Sequence, residues 1–377
     1  MIRKWLLLIV CGFTLIPFGF ANWLPITDVN AWSEVTELAG SKVIVEFSLA
    51  VDSISEECPA YVFIRYRKNP DGPWYLLPTT ELSGNGAGIV TDPGAKKVIW
   101  WGTQENDFEN LETVEFSIRA IPMVRVPGGE FTLKSLPGIG RDESGRHQPQ
   151  SNLPTYYIAR HETTVAMYVD YLNENAPGLV GYNPKMENAE RCGILRGEDG
   201  RYTIAPGREN YPVTYVSWYD ATGFLRWCGL RLPTESEWEK AYRGGLYLDG
   251  DASKQVPNPN PERRYPWGDE APDADGTFRC NYDSDADGYA GTAPVASFAA
   301  FSSPYGVYDM AGNVNEWTLD WYTTSHHAGL DGYRVVRGGS WLDVPEGVDG
   351  VTGATILPLK ESSIMGFRGV LAPHIDG

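Results

Sequence analysis

The densest group of potential ligands lies in Asn281-Tyr282-Asp283-Ser284-Asp285-Ala286-Asp287-Gly288-Tyr289. There Asn281, Asp283, Asp285 and Asp287 fall within seven positions. Hard divalent cations such as Ca2+ take about six to eight oxygens from carboxylates, amides and main-chain carbonyls. Asp283, Asp285, Asp287 and Gly288 match the opening of an EF-hand loop. Its twelfth position is Pro294, which has no carboxylate, and no helices are predicted on either side. That loop type is excluded, leaving a cation held by another oxygen set or a solvated acidic turn.

Other chemistry is sparse. The five cysteines are Cys11, Cys58, Cys192, Cys228 and Cys280, with none after Cys280. The five histidines are His147, His161, His326, His327 and His374. They show no ligand spacing, and the adjacent pair His326-His327 is poorly placed to hold one ion. The sequence contains no Gly-x-Ser-x-Gly nucleophile elbow, phosphate loop or dinucleotide fingerprint. Net charge is −18, and no Lys/Arg run exceeds two residues. Nucleic acid is therefore not expected as a partner.

These residues need elements to position them. Residues 1–21 read as an export signal: Arg3 and Lys4, an apolar run from Trp5 to Ile16, and small residues at Gly19 and Ala21. Cys11 lies inside that run, so four cysteines remain after cleavage, and spacing does not choose among their pairings. The expectation is a secreted or periplasmic chain with no membrane span in its mature part. Residues 22–120 alternate in short runs, 43–49, 60–66, 97–101 and 114–120. Turn clusters such as Asn69-Pro70-Asp71-Gly72 separate them. This predicts an all-β sandwich, immunoglobulin-like or fibronectin-III-like, acting as a spacer or docking module. A second unit begins near Ile121 and runs to residue 377. Helices are predicted from Thr164, from Ser217 and after Thr234. Glu237 completes a capping box with Thr234, and Gly244-Gly245 ends that last helix. The Gly-, Asp- and Pro-rich stretch beyond 246 requires side-chain or metal cross-links.

Six blocks follow in order: Pro212 to Ala221, Arg231 to Glu239, Tyr265-Pro266-Trp267-Gly268, Gly306 to Trp317, Arg337 to Trp341, and Gly366-Phe367-Arg368. Together they resemble the formylglycine-generating, sulfatase-modifying-factor family over residues 121–374. The resemblance implies an α+β, C-type-lectin-like fold with little regular secondary structure. Trp218, Trp238, Trp267, Trp317 and Trp341 are expected as core anchors with N–H groups on loop carbonyls, and Arg231 and Arg368 in internal ion pairs. It also implies two structural calcium sites. One comprises Asn281, Asp287 and the carbonyls of Tyr282 and Tyr289. The other comprises Asp309, Glu316 and the carbonyls of Gly312 and Val314.

The family's oxidases convert a target cysteine to formylglycine with O2 and Cu(I) held by two thiolates, soft ligands suited to a soft ion. By resemblance those positions are Asp343 and Val348, so no copper is expected. The 24 residues between Trp341 and Gly366 keep the family's loop length. Their middle, Val348 to Leu357, lacks the Arg-rich character usual there. The expectation is a non-catalytic binding or scaffold protein presenting the 342–365 loop to a protein, peptide or glycan. The alternative is a formylglycine-generating oxidase, or a family enzyme using other chemistry.

Overall fold

The computed structural model describes residues 4–5, 23–36, 40–101, 114–131, 133, 151–175, 181–283, 285–322, 332–350 and 352–371. The expected signal, 1–21, lies outside the described residues apart from Lys4–Trp5, as do His147, His326, His327 and His374. The chain divides into two compact units. One is Met1–Met123 with Glu174–Ala176, and the other is Val124–Asn173 with Pro177–Gly377.

In the first unit the alternating runs form strands. Ile26–Thr36, Gly40–Leu49, Gly94–Trp101 and Leu82–Gly84 pair in that order, all antiparallel. Ala60–Arg67 pairs with Tyr75–Leu76, with Gly88–Val90 and with Glu115–Val126. Val43, Val45, Phe47 and Leu49 from one group, and Ala60, Val62, Ile64 and Tyr66 from the other, join a single apolar core. This is the period of two that strand geometry imposes. Glu115–Val126 runs unbroken through position 121, so the chain enters the second unit without a loop.

Among its described residues the second unit holds three α-helices: α1 (Val165–Glu174), α2 (Trp218–Cys228) and α3 (Glu235–Arg243). Ser217 and Asp220 form a capping box at the start of α2, and Thr234 and Glu237 form one at α3. Such caps contribute about 1 kcal/mol each. Gly229 closes α2 at φ 80°, a left-handed turn that glycine adopts without strain. Four strands form one sheet in the order Gly353–Ile356, Arg334–Arg337, Asn315–Trp321, Met365–Gly366; only the last pair is parallel. Between Gly244 and Asn315 the described residues form turns, single-turn 3-10 helices and isolated bridges. Among the described residues, no helix is long and apolar enough to cross a membrane.

Side chains do much of the cross-linking that this irregular stretch needs. The indole N–H groups of Trp218, Trp267, Trp317 and Trp341 donate to the carbonyls of Thr318, Glu270, Val216 and Ser363 at 2.9, 3.0, 3.0 and 3.2 Å. Trp238 differs from the expectation: its N–H donates to the Glu316 carboxylate at 3.0 Å, because α3 sits directly against that buried charge. Arg231 makes a two-pronged pair with Glu237 at 2.7 Å for each bond, which ties the α3 cap to the residue that bridges to Val370.

Candidate functional site

Asn281 and Gly312 meet in a parallel bridge, which brings the acidic segment against the stretch 309–316. A side chain at Gly312 would place its Cβ 2.0 Å from the Asn281 carbonyl oxygen, and φ there is 77°. Glycine is therefore required on both steric counts. Asp309 and Asn313 also adopt left-handed φ, 54° and 62°, which is uncommon for side-chain-bearing residues. Asn313 joins the two halves. Its Oδ1 accepts from Asn281 Nδ2 at 3.2 Å and from the Ala293 N–H at 2.9 Å. Its Nδ2 donates to Glu162 Oε1 at 3.0 Å.

The first expected ligand set carries two unsatisfied oxygens. Asn281 spends its Nδ2 on the Gly291 carbonyl at 2.8 Å, and its buried Oδ1 has no hydrogen-bond partner. Asp287 accepts from the Tyr289 N–H through Oδ1 at 2.9 Å, and its buried Oδ2 has none. Burial raises the Asp287 carboxyl above its ordinary pKa. A buried acceptor without a donor costs about 1–3 kcal/mol, so two together call for a cation or donor. The residues present fit a hard, oxygen-loving ion.

In the second set, Asp309 Oδ2 accepts from the Ala296 N–H at 2.5 Å. Glu316 also carries an ion pair: Arg368 donates to both its oxygens at 2.7 and 2.6 Å, with both side chains fully buried. Arg368 also reaches the carbonyls of Ala159 and Tyr308, at 3.2 and 2.9 Å. The open oxygen here belongs to a residue the sequence reading did not single out. Glu162 is fully buried, and its Oε2 lacks a partner. Burial, then the neighbouring Asp309 charge, pushes the Glu162 carboxyl well above its usual range. Asp309 itself rises to about 6, mainly through burial. Three carboxylates facing one guanidinium leave an excess of negative charge that a cation would neutralise. Only the position of Glu162 before a helical run signalled it, since it belongs to no local acidic cluster. Among the described residues no group of three His, Cys, Asp or Glu side chains forms a metal cluster, so any ion here depends on carbonyl and amide oxygens as well.

The copper positions tell a different story. Asp343 accepts from the Ser340 N–H and hydroxyl at 2.9 and 2.6 Å, closing a turn on itself. Val348 is fully buried in the same apolar core as Trp238, Tyr242 and Tyr265. Its carbonyl accepts from the Tyr242 hydroxyl at 3.4 Å. All four described cysteines are thiols rather than disulfides. Burial pushes the Cys192 thiol up to about 11, and that of Cys280 higher still, with Asp287 and Asp309 adding to the effect. Such groups are poor thiolate ligands. The residues at 343 and 348 do not fit copper.

A scaffold of few helices, short strands and long cross-linked loops, ending in the Trp341–Gly366 segment, defines the class of protein. Residues 108–373 match the family model of the sulfatase-modifying factor enzyme 1-like domain, and the chain belongs to that family. The chain is 45% identical over 239 residues to the formylglycine-generating enzyme of Thermomonospora curvata, covering 55% of this chain and 73% of that one. It is 40% identical over 141 residues to the inactive C-alpha-formylglycine-generating enzyme 2 of Bos taurus, covering 36% and 40%. The crystal structure of a protein named CarF is similar at 24% identity and a TM-score of 0.46, covering 66% of this chain and 97% of that one.

Proposed function

We propose that this chain is an exported, non-catalytic binding protein that uses the sulfatase-modifying-factor scaffold to present its 342–365 loop. The observation that carries the reading is the pair Asp343 and Val348: one side chain closes a local turn and the other fills the core. Neither offers sulfur to copper, and no cysteine follows Cys280. The relative named inactive supports the same direction, in that membership of the family does not carry activity with it. Calcium is proposed as the structural ion. Asn281, Asp287 and the carbonyls of Tyr282 and Tyr289 would hold one ion. Asp309, Glu316 and the carbonyls of Gly312 and Val314 would hold the other, with Glu162 beside them. The ions would tie the irregular segment to the sheet without taking part in chemistry. Residues 22–120 serve in this reading as an immunoglobulin-like or fibronectin-III-like docking module.

The similarity to the Thermomonospora curvata enzyme favours the competing reading, an oxidase. The two are separated by supplying Cu(I), O2 and a Cys-x-Pro-x-Arg peptide and assaying for aldehyde. Binding-only function predicts no aldehyde above the copper-free control. Turnover at enzyme-like rates would refute it.

A further inference from the structure

One carboxylate oxygen in the core of the second unit is satisfied by no protein group, and no role given above uses it. Glu162 is fully buried, and its Oε2 has no hydrogen-bond partner. The main chain around it is pinned. His161 Nδ1 donates to the Glu162 carbonyl at 2.7 Å, and the Thr163 N–H donates to the Phe367 carbonyl at 2.8 Å. The other carboxylate oxygen, Oε1, accepts from Asn313 Nδ2 at 3.0 Å. Asn313 is held in turn: its main-chain N–H donates to the Asn281 carbonyl at 2.8 Å, and its carbonyl accepts from the Trp341 N–H at 2.9 Å. It stands between Gly312 and Val314, whose carbonyls belong to the second proposed ion site. The Glu162 carboxylate is thereby delivered to that turn, and of the charges around it Asp309 acts on it most strongly.

Charge decides what the open oxygen calls for. Glu162 and Glu316 are fully buried, and Asp309 is half-buried beside them. Arg368 is the main cation acting on Glu162. Its bonds are already placed, on both oxygens of Glu316 and on the carbonyls of Ala159, Tyr308 and Asp309. None of these bonds reaches a carboxylate oxygen of Glu162 or Asp309. Three carboxylates less one guanidinium leave two negative charges, which matches a divalent ion. The first site, with Asp287 as its carboxylate, leaves one. A neutral donor on Glu162 Oε2 would satisfy that atom without balancing the charge. Among the described residues no three acidic, His or Cys side chains converge as a metal cluster, so the third carboxylate acts at one remove from the ion.

We propose that Glu162 is the outer carboxylate of the second ion site, its Oε2 accepting from a water bound to the ion that Asp309, Glu316 and the carbonyls of Gly312 and Val314 hold. It orients that water and makes this the more negative of the two sites, the one that fills first and favours ions of higher charge. The inference rests on the two-site calcium reading and adds to it a positioning residue and an order of filling.

The test uses the full chain carrying Asp287→Asn, which disables the first site, with calcium and Eu3+ as probes. Calorimetry reads calcium affinity. Luminescence reads Eu3+ affinity and, from lifetimes in light and heavy water, the number of waters on the bound ion. Glu162→Gln keeps an acceptor for Asn313 and removes the charge. It should weaken calcium by about tenfold or more and Eu3+ by a larger factor, with the number of bound waters unchanged. Made instead in Asp309→Ala, where the first site remains, it should leave calcium affinity within about twofold, as for independent sites. Equal losses for both ions, or equal losses at both sites, would show a merely structural role and overturn the proposal. A bound-water number that rises in Glu162→Gln would place Glu162 on the ion itself and overturn the bridging water. A comparison without any Glu162 variant covers the case in which that one does not fold. Asp287→Asn should hold calcium more tightly than Asp309→Ala and prefer Eu3+ by a larger ratio, and the reverse order would overturn the proposal. Calcium bound by neither single-site chain would overturn the two-site reading itself.

Discussion

If calcium fills the first site, removing it should leave Asn281 Oδ1 and Asp287 Oδ2 buried and without donors. Each such atom costs about 1–3 kcal/mol relative to a satisfied state. Seen from the binding side, free calcium at one hundred times its Kd would stabilise the native state by about 2.7 kcal/mol, an ion that binds only the folded site acting by mass action. The two estimates agree in size. For a domain of this length each kcal/mol moves Tm by roughly 2–4 °C, so losing this one ion should lower the melting temperature by roughly 5–10 °C, and chelating both ions by about twice that. The assay is a thermal melt of chelated protein titrated with calcium, beside calorimetric stoichiometry. Wild type should bind two ions. Asp287→Asn should bind one, because losing a carboxylate from a hard-ion site weakens it most. Asp309→Ala should likewise bind one, and the exposed Asp283→Ala should keep two. A wild-type melt unmoved by prolonged chelation and calcium addition would refute the reasoning, as would Asp287→Asn retaining both ions.

Four further outcomes are expected. Calcium affinity should fall as pH drops through about 6, since burial raises Asp309 to about 6 and a protonated carboxyl must release its proton to bind metal; calorimetry at pH 5 and 7 checks this. His161 donates from Nδ1 to the Glu162 carbonyl at 2.7 Å, and burial lowers its pKa from 6.5 to about 4. It is held neutral, so its contribution is present above pH 6.5 and lost as pH falls towards 4; between those values wild type should lose up to about 3 kcal/mol relative to His161→Gln in urea melts. Arg368→Met should destabilise by about 3–5 kcal/mol by stranding Glu316 in the core, and Glu316→Gln in the same chain should recover part of that loss. Asp343→Ala should cost about 1–3 kcal/mol through the lost Ser340 turn, and should leave copper binding at the background of the parent chain.

The legible parts of the sequence were those fixed by local physics. Thr234 and Glu237 announce the start of α3 because a capping box needs only four consecutive residues. The runs 43–49 and 60–66 announce strands because their period of two matches the pleat. Asn281 and Asp287 are named through motif order, which fixes place without stating geometry. Glu162 was missed because its partners lie far along the chain, with Asn313 151 residues away. No spacing rule links a residue before α1 to the loop before the sheet. Glu316 was assigned as an ion ligand. Its two-pronged bond to Arg368, 52 residues on, belongs to the folded chain alone.

The side-chain hydrogen bonds that tie the sheet, the helices and the acidic segment together do not use the side chains at positions 343 and 348. Trp317 fastens the sheet to Val216, Arg368 fastens Glu316 to the carbonyls of Ala159 and Tyr308, and Asn313 fastens the acidic segment to Glu162. Each anchor lies outside 342–365. The segment itself is held at its rim by Asp343 on Ser340, by Trp341 on Ser363 and by the buried Val348. On the reading proposed above, residues other than thiols at 343 and 348 give up a soft-metal site while these hydrogen bonds stay in place. The same independence leaves the outward residues between those rim contacts, Leu357 and Leu359 among them, free to vary with little cost to the core. A scaffold whose stability and exposed loop are separable in this way is suited to binding without catalysis. Charge or size changes at Leu357 and Leu359 should accordingly alter recognition while moving Tm by less than about 2 °C, as surface substitutions away from structural contacts stay within roughly 0.5 kcal/mol.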